Sequence, residues 1–176
     1  EGEIARGPLS NPKGYMKGLN ITIANQKMSV DFIDTGVPHT VVFVEGLQEV
    51  DVNSLGRLIR NHPRFAPRGT NVNFVEIASP ITGQSQNSMV AARTYERGVE
   101  AETLACGTGA VAAALVSYLH LHPNVKEQKE AQMKVATASK EVLEITFDLH
   151  EGNIIDNVWL KGTAKVIAKG EYYYQG

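Results

Sequence analysis

Hydrophobic residues alternate with polar ones along much of this chain, a pattern typical of β-strands that bury one face. Leu19, Ile21 and Ile23 share one face, and a turn near Asn25 separates them from a second strand over Met28–Ile33. These segments predict a β-hairpin. Residues 1–16 show no such period and contain three glycines and two prolines, so we expect an irregular arm there, the remnant of an inter-domain region.

Further strands and one short helix follow the hairpin. Asp51 precedes apolar residues at helical spacing and predicts a helix that Pro63 closes. Those apolar residues are Val52, Leu55, Leu58 and Ile59. The other predicted strands are Thr40–Val44, Asn71–Ile77, Met89–Glu96, Gln132–Thr137, Leu143–Leu149 and Asn157–Ala168. A polar loop joins the strand that ends at Ile77 to the next one.

The segment Thr108–Leu121 predicts a second helix of a different kind. Nearly all its residues are apolar or small, so this helix should be buried on most sides. We therefore expect an α/β protein of the α+β type, with a curved, mostly antiparallel sheet wrapped around one buried helix. Residues 17–176 should form a single domain.

Composition excludes several classes of function. The 176 residues carry a net charge of −2 without a basic run, which argues against nucleic acid as a partner. No apolar stretch is long enough to span a membrane. The single cysteine, Cys106, permits no internal disulfide, and the spacing of the five histidines predicts no metal site. A reducing cytoplasm is the expected compartment.

Cys106 is the strongest candidate for chemistry, because it falls at the predicted start of the buried helix between two glycines, at 107 and 109. Free backbone N–H groups and the helix dipole should lower the pKa of its thiol and form a site for a carboxylate. A thiolate beside such a site suits proton abstraction or nucleophilic attack. The alternative is a small buried hydrophobic side chain at a tight turn.

Five other residues are weaker candidates from the residues alone. His39 follows a predicted turn, and a lone histidine is more often structural than catalytic. Glu96 and Arg97 end a strand, and they form either an exposed charge pair or a ligand contact. Asn71 could present its amide to a ligand, as could Asn73 on the same strand face, or both could decorate a sheet edge.

Several motifs together resemble the C-terminal half of the diaminopimelate epimerase family. They are TGVPH, FAPRGTNVNF, YERG and ETLACGTGA, in that order along the chain. The resemblance implies an enzyme without cofactors that interconverts LL- and meso-diaminopimelate in lysine and peptidoglycan precursor biosynthesis. Two cysteines from opposite halves of a pseudo-symmetric molecule would act as acid and base on the two faces of the substrate carbon.

The resemblance also implies roles for individual residues. Cys106 matches one catalytic cysteine, and Gly107 and Thr108 match the loop that holds the reacting carboxylate. Asn71 and Arg97 match residues that bind the distal end of the substrate.

Two further residues match the family, and one position departs from it. Glu96 matches a substrate-contacting residue that, together with the match at His39, is thought to tune the cysteine pKa values. Val37 stands where the family often has Asn, which implies that one substrate contact is missing or supplied differently.

The second cysteine and its motif are not in this sequence, and the chain begins at Glu1 without an initiator Met. We therefore expect a half-site fragment that lacks the N-terminal domain, is inactive alone, and exposes an apolar face that favours a homodimer. Other readings are a non-catalytic carboxylate-binding or assembly module, a related racemase or isomerase of this fold, and a cysteine hydrolase that uses Cys106 and His39.

Overall fold

Ten strands and two α-helices lie within the residues that the structure describes. The computed structural model describes residues 2–6, 13–77, 88–164 and 166–174. The strands are β1 Gly2–Arg6, β2 Lys13–Ile23, β3 Gln26–Asp34, β4 Pro38–Phe43, β5 Asn71–Ile77, β6 Ser88–Glu96, β7 Ala101–Thr103, β8 Gln128–Ala136, β9 Val142–His150 and β10 Ile154–Ala164. The helices are α1 Val52–Arg60 and α2 Gly107–Leu121, and short 3-10 turns cover Leu47–Glu49 and Pro63–Phe65.

The described strands form one mixed sheet in the order β1-β10-β9-β8-β6-β5-β4-β3-β2, with β7 paired to β6 alongside. Two of the neighbouring pairs are parallel, β4 with β5 and β6 with β8, and the other pairs are antiparallel. Each parallel pair needs a crossover, which α1 supplies in one case and the segment containing α2 in the other. The predicted fold class is confirmed.

Helix α2 is buried because its surface is apolar on every side. Every residue from Gly109 to Leu119 is buried, as expected for a helix without a polar face. The inward side chains of β9, Leu143, Ile145, Phe147 and Leu149, pack in the same core. The buried helix predicted over Thr108–Leu121 is therefore confirmed, with its start one residue earlier.

A second hydrophobic core lies on the opposite face of the sheet, under α1. Asp51 caps α1 by accepting a hydrogen bond from the Ser54 backbone N–H at 3.0 Å, and Ile59 is fully buried. Leu58 shares the helical spacing of the apolar residues but is 51% exposed. Strand β5 lies between the two cores, since Phe74 packs with α1 and Val75 packs with α2.

The prediction of an irregular arm over residues 1–16 is wrong where the structure describes that segment. Gly2–Arg6 pairs antiparallel with Leu160–Ala164, because the outer edge of β10 offers free backbone groups to any extended segment. Strand β2 begins at Lys13, and two shifts of register before Leu19 break its alternation. Gly14 and Gly18 adopt positive φ at these bulges. The division of the chain at residue 16 stays a prediction, and residues 7–12 lie outside the described part.

The remaining element predictions differ from the structure mainly at their ends. The hairpin turn lies at Ala24 and Asn25, which both have positive φ. Strand β8 starts at Gln128 and β10 ends at Ala164, whereas the predicted strands began at Gln132 and ran to Ala168. The predicted polar loop after Ile77 lies outside the described residues.

Candidate active site

Cys106 lies at the N-terminus of α2, as its place in the sequence predicted. It is the N-cap residue, half-buried, with an extended backbone at φ −127° and ψ 109°. Its side chain makes no capping hydrogen bond to the backbone of the first turn, but the backbone N–H groups of Thr108 and Gly109 are near enough to act on the pKa of the thiol. The Thr108 hydroxyl lies 3.7 Å from the same sulfur atom. The first turn of the helix therefore directs donors at the thiol.

Gly109 allows this helix end to approach β5 very closely. A Cβ at this position would lie 2.5 Å from Oδ1 of Asn73 and 3.1 Å from the sulfur of Cys106. Both distances are shorter than ordinary contacts, so any side chain here would displace one of these groups. Close packing against Asn73 and Cys106 therefore requires a glycine at this position.

Burial raises the pKa of the Cys106 thiol above its ordinary value, and the negative charge of Glu96 raises it further. The Thr108 hydroxyl and the nearby backbone N–H groups of Thr108 and Gly109 lower this pKa, but their effect is smaller than that of burial. The predicted lowering of this pKa is therefore wrong for the described chain. Desolvation of the thiolate outweighs the helix end that was expected to stabilise it.

His39, on β4, is fully buried and neutral at ordinary pH. Burial, and after it the charge of Arg97, lowers its pKa to about 3. The amide of Asn73 donates to the carbonyl of Thr40 at 3.1 Å and accepts from the Thr94 hydroxyl at 3.0 Å, which fixes its orientation. The amide nitrogen of Asn73 also lies 3.1 Å from Nδ1 of His39. Because an amide nitrogen can only donate, Nδ1 is the acceptor and the ring proton of His39 is on Nε2.

This arrangement argues against the hydrolase reading. Nδ1 of His39 is occupied by Asn73, and Nε2 has no hydrogen-bond partner within the described part of the chain. No hydrogen bond therefore joins Cys106 to His39. A histidine with a pKa of about 3 is also a poor general base near neutral pH.

Glu96 and Arg97 lie where β6 ends and a turn begins, so both can reach the same region. The backbone N–H of Arg97 donates to Oδ1 of Asn71 at 2.8 Å, and the Asn71 amide donates to the carbonyl of Pro38 at 3.1 Å. One guanidinium nitrogen of Arg97 donates to the carbonyl of Arg68 at 3.2 Å. Asn71 is 5% exposed, and its observed role is to hold the turn that carries Arg97.

The structure thus brings the residues singled out from the sequence into one neighbourhood. Asn73 links its parts, since it contacts His39 on one side and lies against Gly109 on the other. Sequence reasoning missed Thr94, which stands opposite Asn73 in the β5–β6 register. No local signal identifies such a partner, because pairing register is a property of the folded sheet. Val37 lies in the turn before β4, and its carbonyl accepts from the Thr35 N–H at 3.1 Å.

Across residues 2–6, 13–77, 88–164 and 166–174, no group of three or more His, Cys, Asp or Glu side chains could hold a metal ion. None of the helices in these ranges is long and apolar enough to cross a membrane.

Comparisons with known proteins fit this arrangement. The model of a family described as "Diaminopimelate epimerase" matches residues 32–164. The diaminopimelate epimerase of Aquifex aeolicus is 46% identical over 161 residues, which cover 90% of this chain and 51% of that protein. The diaminopimelate epimerase of Chlorobaculum tepidum is 39% identical over 168 residues, which cover 96% of this chain and 58% of that protein. The chain thus spans little more than half the length of these relatives.

A solved structure shows the same fold with a distant sequence. It is a probable proline racemase from Agrobacterium radiobacter with bound carbonate, with a TM-score of 0.63 and 12% identity. The match covers 94% of this chain and 54% of that one. From the match over residues 32–164 and the identity to these relatives, we conclude that the chain belongs to the diaminopimelate epimerase family.

Proposed function

We propose that this chain supplies one half of an active site that inverts a single stereocentre of diaminopimelate, with Cys106 as the acid or base on one face of the substrate carbon. The observation that carries the proposal is the position of Cys106 as the N-cap residue of a buried helix, with its sulfur 3.7 Å from the Thr108 hydroxyl. Membership of the diaminopimelate epimerase family supports the choice of substrate. In this role the protein would serve lysine and peptidoglycan precursor biosynthesis in the cytoplasm.

The helix N-terminus also suits the reacting carboxylate of an amino acid. Gly107 is exposed, and a Cβ there would meet only a methyl group of Leu160, at 3.9 Å, so its backbone can be approached closely. Backbone N–H groups in the first turn attract anions and would stabilise the charge that develops when the α-proton leaves. We assign the binding of this carboxylate to the backbone of Gly107 and Thr108.

The raised pKa of Cys106 favours the thiol near neutral pH, and a thiol is the form that donates a proton. Abstraction by the same residue requires the thiolate. The charge of Glu96 bears directly on this balance because it raises the pKa of the thiol. We therefore assign a tuning role to Glu96, and to neutral His39 behind Asn73. The chemistry is proton transfer between side chains and carbon, and it calls on no cofactor.

The distal end of the substrate carries a second carboxylate and a second ammonium group, and we assign its binding to Arg97 and Asn71. The Arg97 guanidinium offers a planar set of donors that matches a carboxylate. Only one of its nitrogens has an observed acceptor, the carbonyl of Arg68, within the described residues.

A second base must act on the opposite face of the substrate carbon, because inversion delivers a proton to the face that did not lose it. Cys106 is the only cysteine in these 176 residues. We propose that the second cysteine comes from the part of the relatives that this chain does not match. The segment after β10 exposes two large apolar side chains, Val166 at 87% and Ile167 at 94%. Their exposure supports a contact of this segment with another polypeptide. Homodimerisation stays a prediction.

The test joins this chain to the segment of the Aquifex aeolicus relative that it does not match, in one polypeptide. LL-diaminopimelate is incubated in D2O with that fusion, with the chain alone, and with a fusion carrying Cys106→Ser. We expect inversion and deuterium uptake at Cα only with the unaltered fusion. Turnover by the chain alone would refute the half-site proposal, and full activity of Cys106→Ser would favour the reading as a non-catalytic binding module.

A further inference from the structure

The hairpin of β6 and β7 lies between α1 and the residues around Cys106. Tyr95 faces α1, and a Cβ on Gly56 of that helix would overlap the tyrosine side chain. Thr94, whose side chain points to the opposite face, donates to Asn73 beside α2. The hairpin can therefore transmit a displacement on the side of α1 to the surroundings of Cys106.

Arg93, on β6, uses all three guanidinium nitrogens to fix this hairpin. Nε and Nη2 donate to the two carboxylate oxygens of Glu102 on β7, at 2.7 and 2.8 Å. Nη1 donates to the carbonyls of Leu47, Gln48 and Val50 at 2.9, 3.3 and 3.0 Å. The paired side chains are only 18% and 23% exposed. Such a two-pronged contact fixes orientation as well as distance.

Glu102 anchors the segment that leads into Cys106. Its backbone N–H donates to Oδ1 of Asn53, in the first turn of α1, at 2.8 Å. Strand β7 ends one residue later, and the carbonyl of Leu104 then accepts from the N–H of Ser139 at 2.9 Å. Only three residues thus lie between Glu102 and Cys106.

We infer that Arg93 and Glu102 are a positioning pair, which holds Sγ of Cys106 in its half-buried place at the start of α2. Both residues act through segment 102–106 and not on the reacting atoms. The catalytic meaning of this inference rests on the proposed function, in which a thiol displaced by about 1 Å would lose its alignment with the α-proton. The placement of the thiol can be tested without substrate or turnover.

The single cysteine makes the test specific, because alkylation by iodoacetamide reports on Cys106 alone. Its rate is measured against pH for the wild-type chain, for Glu102→Gln and for the control Glu151→Gln. The control breaks the ion pair between Glu151 and Lys126, whose side chains are 77% and 79% exposed, respectively. Glu96, the charged group that bears on the pKa of Cys106, is unchanged in every variant.

In Glu102→Gln we expect water to reach the sulfur more freely, so that the pKa of Cys106 falls toward its ordinary value. The larger thiolate fraction should raise the alkylation rate below the pKa about three- to tenfold. The control should stay within about twofold of wild type, as expected for an exposed pair. If Glu102→Gln fails to fold, Arg93→Lys takes its place. This variant keeps the charge but loses the two-pronged contact, and it should shift the alkylation profile in the same direction.

Two results would overturn the inference. A purely stabilising role predicts a lower melting temperature for Glu102→Gln with an unchanged alkylation profile. The double variant Arg93→Met/Glu102→Gln keeps the net charge, and we expect it to shift the profile as Glu102→Gln does. A shift confined to Glu102→Gln would instead arise from the unpaired Arg93 charge. Neither result depends on substrate, so this test can fail while the proposed function stands, and the reverse also holds.

Discussion

Replacing Gly109 by alanine tests the close contact between α2 and β5 on which the candidate site depends. The new Cβ would lie 2.5 Å from Oδ1 of Asn73 and 3.1 Å from Sγ of Cys106. Asn73 cannot move freely, because its side-chain amide is hydrogen-bonded to Thr40, Thr94 and His39. The helix or the strand must therefore shift, or one of these hydrogen bonds must break.

The magnitude follows from two opposing effects. Overpacking of a buried contact costs about 1–3 kcal/mol, and replacing glycine by alanine in a helix returns up to about 1 kcal/mol. A net loss of about 1–2 kcal/mol corresponds to a fall in melting temperature of roughly 2–8 °C for a domain of this size. The assay is thermal or urea unfolding followed by circular dichroism.

Gly107→Ala is the matched control, because it lies in the same helical turn and its added Cβ would be 3.9 Å from its nearest neighbour. This variant should stay within about 0.5 kcal/mol of wild type. In an Asn73→Ala background, Gly109→Ala should cost clearly less, because the clashing oxygen is gone. Equal stability of the two glycine variants, or an equal cost of Gly109→Ala in both backgrounds, would refute the packing argument.

Two further predictions concern stability. The pKa of His39 in the folded chain, about 3, lies below its ordinary value of 6.5, so the unfolded chain binds the proton more readily. The free energy of unfolding should therefore fall as the pH drops below about 6.5, and the loss should reach about 2 kcal/mol at pH 5. Urea unfolding at neutral pH and at pH 5 should show this loss in wild type and a correspondingly smaller loss in His39→Gln. The same pH dependence in both proteins would contradict a neutral, buried histidine. Ile59→Ala should lower the free energy of unfolding by about 2–5 kcal/mol. Leu58→Ala should lower it by less than about 1 kcal/mol, because Leu58 is 51% exposed. Similar losses for the two variants on urea unfolding would show that α1 packs differently.

Local pattern was sufficient to predict the elements that surround the candidate site. The continuous apolar run from Gly109 to Leu119 predicts a buried helix without reference to any partner. The alternation of Leu143, Ile145, Phe147 and Leu149 likewise predicts a half-buried strand. Cys106 could be placed at the helix start for the same reason.

Features that depend on partners distant in sequence could not be predicted. The contact of Gly109 with Asn73 and the Arg93–Glu102 pair need the register of β5, β6 and β7. The pKa of Cys106 was predicted in the wrong direction, because the helix end is visible in the sequence and the extent of burial is not. The first strand was missed because its pairing uses backbone groups, which leave no pattern of side chains.

The two glycine bulges of β2 have a consequence for a protein built so largely of strands. This strand is the last in the order of the described sheet, and a straight outer strand would offer an unbroken ladder of hydrogen-bonding groups to any neighbouring molecule. Gly14 and Gly18, at φ values of 67° and 65°, kink the strand where that ladder would form. The sheet thereby gains protection against edge-to-edge aggregation, at two positions where a side chain with a Cβ would be strained.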